Sequence, residues 1–455
     1  MAMIEVKYDP ILKLEPIVDL MYSTTEDPDG HPGEVEQTKM TGIFAPLIRV
    51  NDLTINWSQV RRFRLTCRDI LPTVTMEIED NLDLMKTLDQ PKADNIVRVE
   101  ILPAFEDAYK KIDLRFYITD YKMLGSTAYL TCVYNVPELF QNRLESFGQL
   151  SIYEFCDKIA KESGLGLASN VTNVNDKRYM YCKNQSLIEL LSKEIRRSGT
   201  ESVIPEVWID WHNYLNIVDT YDRYKNPEKD LKVWTMPNRQ VDIESGTTIK
   251  PKEEDAIITN APYAMSSQLY IGDYKIVNDT TKNISDGTDK IIEIYDFDKQ
   301  ESSSILIQDG DVHKDTFVKV EYKGEAFAGS KYQLQEVCRS ALLQKVYSQC
   351  IEVSLESPLI GLSRGERVNL RWYDSSDISI KAKKDNDINV VADVPEDEPL
   401  ETERMNLNKQ ITGQYLILNT VLEFEGDGST GLFWKYKLLL GRPADEIKTY
   451  GEDNK

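Results

Sequence analysis

Residues 151–164, Ser151-Ile152-Tyr153-Glu154-Phe155-Cys156-Asp157-Lys158-Ile159-Ala160-Lys161-Glu162-Ser163-Gly164, decide how the chain is organised. Ser151 and Glu154 form a capping box, in which the serine hydroxyl takes the amide three residues on and the glutamate reaches back to the serine amide. Ile152, Phe155, Cys156, Ile159 and Ala160 then fall on one face at helical spacing, and Ser163-Gly164 supplies the left-handed stop. The spacing predicts a helix over 152–162. A second box, Ser186-Leu187-Ile188-Glu189, opens another helix with Leu187, Leu190, Leu191 and Ile195 inward, ending at Ser198-Gly199. Two strands follow, Pro205 to Asp210 and Tyr214 to Asp219, with a tight turn at His212-Asn213. This stretch is a small α/β unit set into a chain that otherwise reads as strands.

On the N-terminal side, residues 42–134 alternate with period two: Phe63/Leu65, Val74/Met76/Ile78, Val97/Val99/Ile101, Leu114/Phe116/Ile118 and Ala128/Leu130/Cys132. Alternation with polar partners predicts half-buried strands, and Pro72, Pro91, Pro103 and Gly125-Ser126-Thr127 break them at the spacing of a small antiparallel barrel. On the C-terminal side, Ser330-Lys331-Tyr332-Gln333 is a third capping box, before Leu334, Val337, Cys338, Ala341 and Leu342 on one helical face. Strands resume at Ile351/Val353/Leu355, Val368/Leu370/Trp372, Tyr415/Ile417/Asn419/Val421 and Leu432/Trp434/Tyr436/Leu438/Leu440, the last two as a hairpin around 426–431. Residues 223–323 are β-rich without a firm assignment, with strand candidates at Tyr270-Ile271 and 291–295. Residues 374–408, basic at 381–384 and then acidic with prolines, have the composition of a solvated loop.

The expected fold class is therefore α+β, mostly β: two tube-like antiparallel β-barrel domains with an inserted small α/β domain. The expected divisions are an N-terminal arm (1–40), a first barrel (41–146), the α/β insert (147–222), a β-rich region (223–325), a second barrel (326–445, with the acidic loop 374–408) and a tail (446–455). The hairpins 116–133 and 415–440 are alike enough to suggest a duplicated barrel, and two unrelated hairpins would look the same.

Composition narrows function. At 455 residues the chain needs several domains, and its 41% hydrophobic and 29% charged residues are those of a folded protein. No stretch approaches the roughly 20 apolar residues that span a bilayer, and no basic-then-apolar leader is visible. Cys67, Cys132, Cys156, Cys182, Cys338 and Cys350 lack any C-x-x-C pairing and mostly fall on apolar faces, so they read as reduced core residues. The formal net charge of -22 argues against wrapping a nucleic-acid backbone, although an acidic wall would let DNA slide past without sticking. N-x-S/T sequons such as those at Asn56 and Asn170 carry no weight without a leader.

Candidate chemistry is sparse. The only histidines, His31, His212 and His313, sit in turn or loop contexts with no partner at i+4, so no helical zinc pair exists. A Cys-His nucleophile would need one of the core cysteines beside one of them. The 76 acidic residues offer carboxylate pairs, but no segment marks one out, and no phosphate-binding P-loop occurs. Asp385 to Asn389, with Glu396 in twelfth place, resembles an EF-hand loop, but its sixth position is Val390 where the turn needs glycine. No catalytic, cofactor-binding or metal residue is assigned. Trp208 and Trp211 alternate, so one is expected in the core and the other free for an interface, with local packing of both as the alternative. Trp372 and Trp434 are expected in barrel core.

The order helix, glycine, Tyr181-Cys182-Lys183-Asn184-Gln185-Ser186, helix, Val207-Trp208-Ile209-Asp210, Leu215-Asn216-Ile217 resembles the central module of phage tail baseplate hub proteins. Ser357 to Val368, with its Gly365 turn, Gly413 to Leu418, and Leu438-Leu439-Leu440-Gly441-Arg442 look like that family's second barrel. The resemblance covers about half the chain, and the family is related to the base of type VI secretion spike proteins. It implies a homotrimer whose six barrels join a six-fold tail tube to a three-fold central spike, touch other baseplate proteins and pass DNA through an acidic lumen. It also implies a non-enzymatic virion protein, assembled in the host cytoplasm, without cofactors. The alternatives are a spike-base component of a secretion or contractile injection system, which should carry a fused spike repeat, and a hub with cell-wall hydrolase activity.

Overall fold

The computed structural model describes residues 5–8, 45–51, 53–80, 95–102, 111–171, 177–198, 205–225, 256–260, 270–277, 347–355, 362–373, 410–427 and 431–443. It also describes shorter pieces at 88, 203, 240–241, 248–249, 290–296, 301–307, 317–319, 343 and 407–408. The third capping box, His31, His313, Cys338, the EF-hand-like string, nearly all of the acidic loop, the tail and the arm beyond 5–8 lie outside these residues.

After β1 (Glu5–Tyr8) come β2 (Leu47–Val50), β3 (Leu53–Ile55), β4 (Val60–Cys67), β5 (Thr73–Glu79), β6 (Ile96–Ile101), β7 (Ile112–Leu124) and β8 (Thr127–Tyr134). The inserted unit follows as α1 (Pro137–Phe140), β9 (Asn142–Leu150), α2 (Ile152–Ser163), β10 (Gly166–Ser169), β11 (Arg178–Ser186), α3 (Leu187–Arg196), β12 (Pro205–Ile209), β13 (Tyr214–Asp219) and α4 (Thr220–Lys225). The remaining strands are β14 (Gln240–Val241), β15 (Thr248–Ile249), β16 (Ala256–Thr259), β17 (Ile271–Ile276), β18 (Lys290–Asp296), β19 (Glu301–Ile307), β20 (Phe317–Lys319), β21 (Gln349–Leu355), β22 (Arg367–Arg371), β23 (Gly413–Asp427) and β24 (Gly431–Arg442). The chain is mostly β with few helices, as expected.

Most strands on either side of the insert form one curled sheet, in the order β17-β21-β24-β23-β4-β5-β8-β7-β6-β2-β3, with β22 also on β23 and β16 on β22, while β14-β15 and β19-β18-β20 form small sheets of their own. The two halves meet where β23 pairs antiparallel with β4, from Thr420 opposite Cys67 to Glu425 opposite Arg62. On the inner face, Phe63, Leu65, Val74, Met76, Ile78, Leu114, Phe116, Leu130 and Cys132 are buried as their alternation predicts. Trp434 joins them, packed against Phe424 and edge-on to Phe63 across the seam at centroid distances of 5.0 and 6.4 Å.

Three details depart from simple alternation. In β6, Arg98 and Glu100 are buried as well as Val97, Val99 and Ile101. Their charges are matched: Arg98 makes a two-pronged bond to Asp113 at 3.0 and 2.7 Å, and Lys111 reaches Glu100 at 2.9 Å. In β23 a bulge between Ile417 and Asn419 shifts the register. Tyr415, Ile417, Asn419 and Val421 are all buried as read from sequence, and beyond the bulge Leu422 and Phe424 join the core as well. Trp372 is only half-buried, lying edge-on against Tyr274 at 4.5 Å, and so is not a barrel-core residue.

Within the insert both capping boxes form. Ser151 and Glu154 cap α2, which ends on Gly164 at φ 66°, and Ser186 and Glu189 cap α3. The helices cover a four-stranded sheet, β1-β10-β13-β12, in which β10 and β13 run parallel. The N-terminal strand β1 thus belongs to the insert's sheet and pairs antiparallel with β10. A separate ribbon, β9 with β11, runs through residue 147 and was not read as strands from sequence.

Candidate functional site

The β12–β13 hairpin is where the insert meets both halves of the large sheet. Its turn is built locally: Asp210 accepts the amides of His212 and Tyr214 at 2.8 and 3.0 Å, while Asn213 takes φ 64°, a conformation asparagine tolerates. His212 is therefore a turn residue.

Toward the first half of the sheet, the Ile209 amide donates to the Ile70 carbonyl at 2.7 Å, and the Cys67 thiol points at the Ile209 carbonyl at 3.6 Å. The Tyr134 hydroxyl donates to the Asn213 side chain, whose amide nitrogen donates to the Asp113 carbonyl at 3.3 Å. Toward the second half, Trp211 leans on Tyr436 at 6.0 Å, and the Tyr436 hydroxyl donates to the Leu362 carbonyl.

Trp208 carries the closest fit. The turn before β22 is laid on β23 by the Gly365 amide bonding the Ile417 carbonyl at 2.8 Å and the Ile417 amide bonding the Glu366 carbonyl at 2.7 Å. Gly365 sits at φ +87°, and a Cβ there would come 3.1 Å from the Trp208 ring. The same turn sets the Arg364 guanidinium over Trp208, 4.7 Å from the ring centroid. Arg364 also donates to the carbonyls of Arg68 and Asp69 at 2.7 and 3.0 Å and lies 3.4 Å from the Glu206 carboxylate. One side chain thereby ties the second half to the first half and to the insert. Tyr347 completes the cluster, bonding Glu206 at 3.1 Å and Thr220 at 3.0 Å.

The electrostatics are those of a closed joint. Burial pushes the Cys67 thiol up to about 12, against the pull of the Arg364 charge, so it stays protonated near neutral pH and is a poor nucleophile. Burial and then the Glu206 charge hold the Tyr347 hydroxyl well above its usual range. Both tryptophans are buried, so of the two readings left open the one that packs both holds and the one that frees one for an outside interface does not. They bridge parts of the chain far apart in sequence. Cys132, Cys156 and Cys182 are likewise buried free thiols, and Cys350 is half-buried.

Distant likenesses exist among solved structures. A tail protein from Neisseria meningitidis shares 9% identity over 89% of this chain and 98% of its own, with a TM-score of 0.45. The 43 kDa tail protein of prophage MuSo2 from Shewanella oneidensis shares 9% over 88% and 98%, with 0.48. A Francisella PdpA-VgrG complex chain shares 9% over 87% of this chain and 52% of its own, with 0.46. At these scores the likenesses do not bear on what the chain does. No protein-family model and no curated protein matches the sequence.

Among the described residues, no group of three or more His, Cys, Asp or Glu could hold a metal ion, and no helix is long and apolar enough to cross a membrane. The residues that matter at the junction were not legible as a site. Arg364 and Gly365 read only as a turn, and nothing near Trp208 in sequence points to them.

Proposed function

We propose that this chain is the structural hub of a phage tail baseplate, a homotrimeric adaptor between a six-fold tail tube and a three-fold central spike that works without catalysis. The observation that carries this reading is the antiparallel seam between β4 and β23. It joins two strand-rich halves through backbone hydrogen bonds, so each chain offers two lobes held in a fixed relation. Three such chains around one axis would present six lobes to a tube and three-fold symmetry to a spike. On this reading the chain divides into arm, first barrel, insert, β-rich region, second barrel and tail, the arm lending its strand β1 to the insert's sheet, with other baseplate proteins around it.

The outer face of the seam bears on DNA passage. There Arg62 lies 2.9 Å from Glu425, Arg64 3.3 Å from Glu423, and Lys437 2.7 Å from Glu423. Cations already matched by carboxylates give phosphates little to displace, which suits a wall that DNA slides past. The hub would sit in the virion after assembly in the host cytoplasm.

Electron-microscope class averages of the purified chain test the proposal. Rings with three-fold symmetry and a six-lobed face are expected, whereas rings of another order would overturn it. Purified chain should also leave peptidoglycan intact, and cleavage would overturn the non-enzymatic part.

A further inference from the structure

The insert has two unlike sides. On the α2 side most cations are matched: Arg143 pairs with Glu162 at 2.9 Å, Lys158 with Glu145 at 3.4 Å, and Lys177 with Glu154 at 2.8 Å, leaving Lys161 without an ion-pair partner among the described residues. On the α3 side, Lys183, Lys193, Arg196 and Arg197 make no ion pair with any described residue. Lys193, Arg196 and Arg197 line one shallow cavity with Ile188, Ser192 and a single carboxylate, Glu189, which also caps α3. Four cations without an ion-pair partner among the described residues, gathered on one side, stand out in a chain with 76 acidic and 54 basic residues.

The ribbon beside them exposes large apolar and aromatic side chains among its polar ones. Its inward residues, Arg178, Met180 and Cys182, are buried, while Leu144, Tyr179 and Tyr181 are exposed by 86, 68 and 46%. The pieces are contiguous. Leu144 lies opposite Lys183 in the ribbon register, and the Lys183 ammonium sits 4.8 Å from the Tyr181 ring centre. A hydrogen bond from Lys183, with the Lys193 charge nearby, draws the Tyr181 hydroxyl below its ordinary range. Aromatic and aliphatic anchors beside desolvatable cations are the composition of a protein-docking face.

We propose that this face, formed by Leu144, Tyr179, Tyr181, Lys183, Lys193 and Arg196, docks onto an acidic surface of a second copy of this chain. The proposal rests on the homotrimer reading and adds the surface that closes the ring. A three-fold ring uses a head-to-tail interface, so the patch need not match itself, only a different patch on its neighbour. With a net charge of -22, another copy offers carboxylates widely, and a basic face is the part of the surface that can approach it without repulsion.

Light scattering of the full chain tests this with two variants, Lys193→Glu/Arg196→Glu and Leu144→Ser/Tyr179→Ser. All four positions are exposed, so both variants should keep the wild-type far-ultraviolet circular dichroism and unfolding midpoint. Wild type is expected at three times the 52.3 kDa of one chain, losing mass as salt rises, and the charge-reversed variant at one chain's mass under the same low-salt conditions. The Ser variant should weaken association at least tenfold at every salt concentration. Wild type and both variants all trimeric would overturn this interface while leaving the trimer intact. A wild-type chain that stays at one chain's mass at all concentrations would overturn the trimer, and this face with it.

Discussion

The seam between the two halves of the large sheet and the joint that seats the insert hold the molecule together by different means. The seam is a run of backbone pairing from Thr420 opposite Cys67 to Glu425 opposite Arg62, dressed on its outer face with partly exposed ion pairs. Any side chain compatible with a strand preserves such pairing, so the seam spreads its stability over many replaceable residues. The joint instead concentrates contact in a few buried, shape-matched groups: Trp208 under Arg364, with the Gly365 turn pressed against its ring. Single substitutions should therefore cost much at the joint and little at the seam.

The largest effect is expected from Trp208→Ala, which empties the centre of the joint and should lower unfolding free energy by about 3–5 kcal/mol in chemical denaturation. Gly365→Ala should cost about 1–3 kcal/mol in the same measurement, because it forces a side chain into positive φ and toward the Trp208 ring. A loss as small as that of an exposed surface change at either position would break the contrast.

Alkaline pH sharpens it in another way. The buried thiols Cys67 and Cys132 are each pushed up to about 12 from an unfolded value of 9.0. Between those values the unfolded chain has released protons that the folded chain keeps, so stability falls as pH rises. The slope should approach roughly 1.4 kcal/mol per pH unit for each thiol. Replacing Cys67 with Ala should remove its share of that slope, measured as unfolding free energy from pH 8 to 10.5. The smallest effect belongs to the seam's ion pairs: Arg62→Ala should cost less than about 1 kcal/mol, since its partners Glu425 and Glu77 remain partly solvated.

The same contrast explains what could be read from the sequence. Local rules exposed the parts held by local physics: the Ser151/Glu154 and Ser186/Glu189 boxes, the faces of α2 and α3, and the alternation of β4, β5, β7 and β8. The β9–β11 ribbon was missed because one of its faces carries Leu144 and Tyr181 into solvent and two register shifts break its period. In β23 the burial of Leu422 and Phe424 beyond Ile417 was not legible, since a bulge leaves no mark in the pattern of residue types. The joint was illegible for a further reason. Trp208 and Gly365 are brought together by the fold across a long stretch of chain, and neither residue's neighbours encode the other.

Continuous backbone pairing between β4 and β23 should make one cooperative sheet out of the two halves. Native-state amide hydrogen exchange along 60–67 and 420–425 tests that most directly. Amides bonded across the seam should exchange together, at the slow rate of global unfolding. Exchange of β23 by an early opening of its own, with β4 still protected, would contradict it.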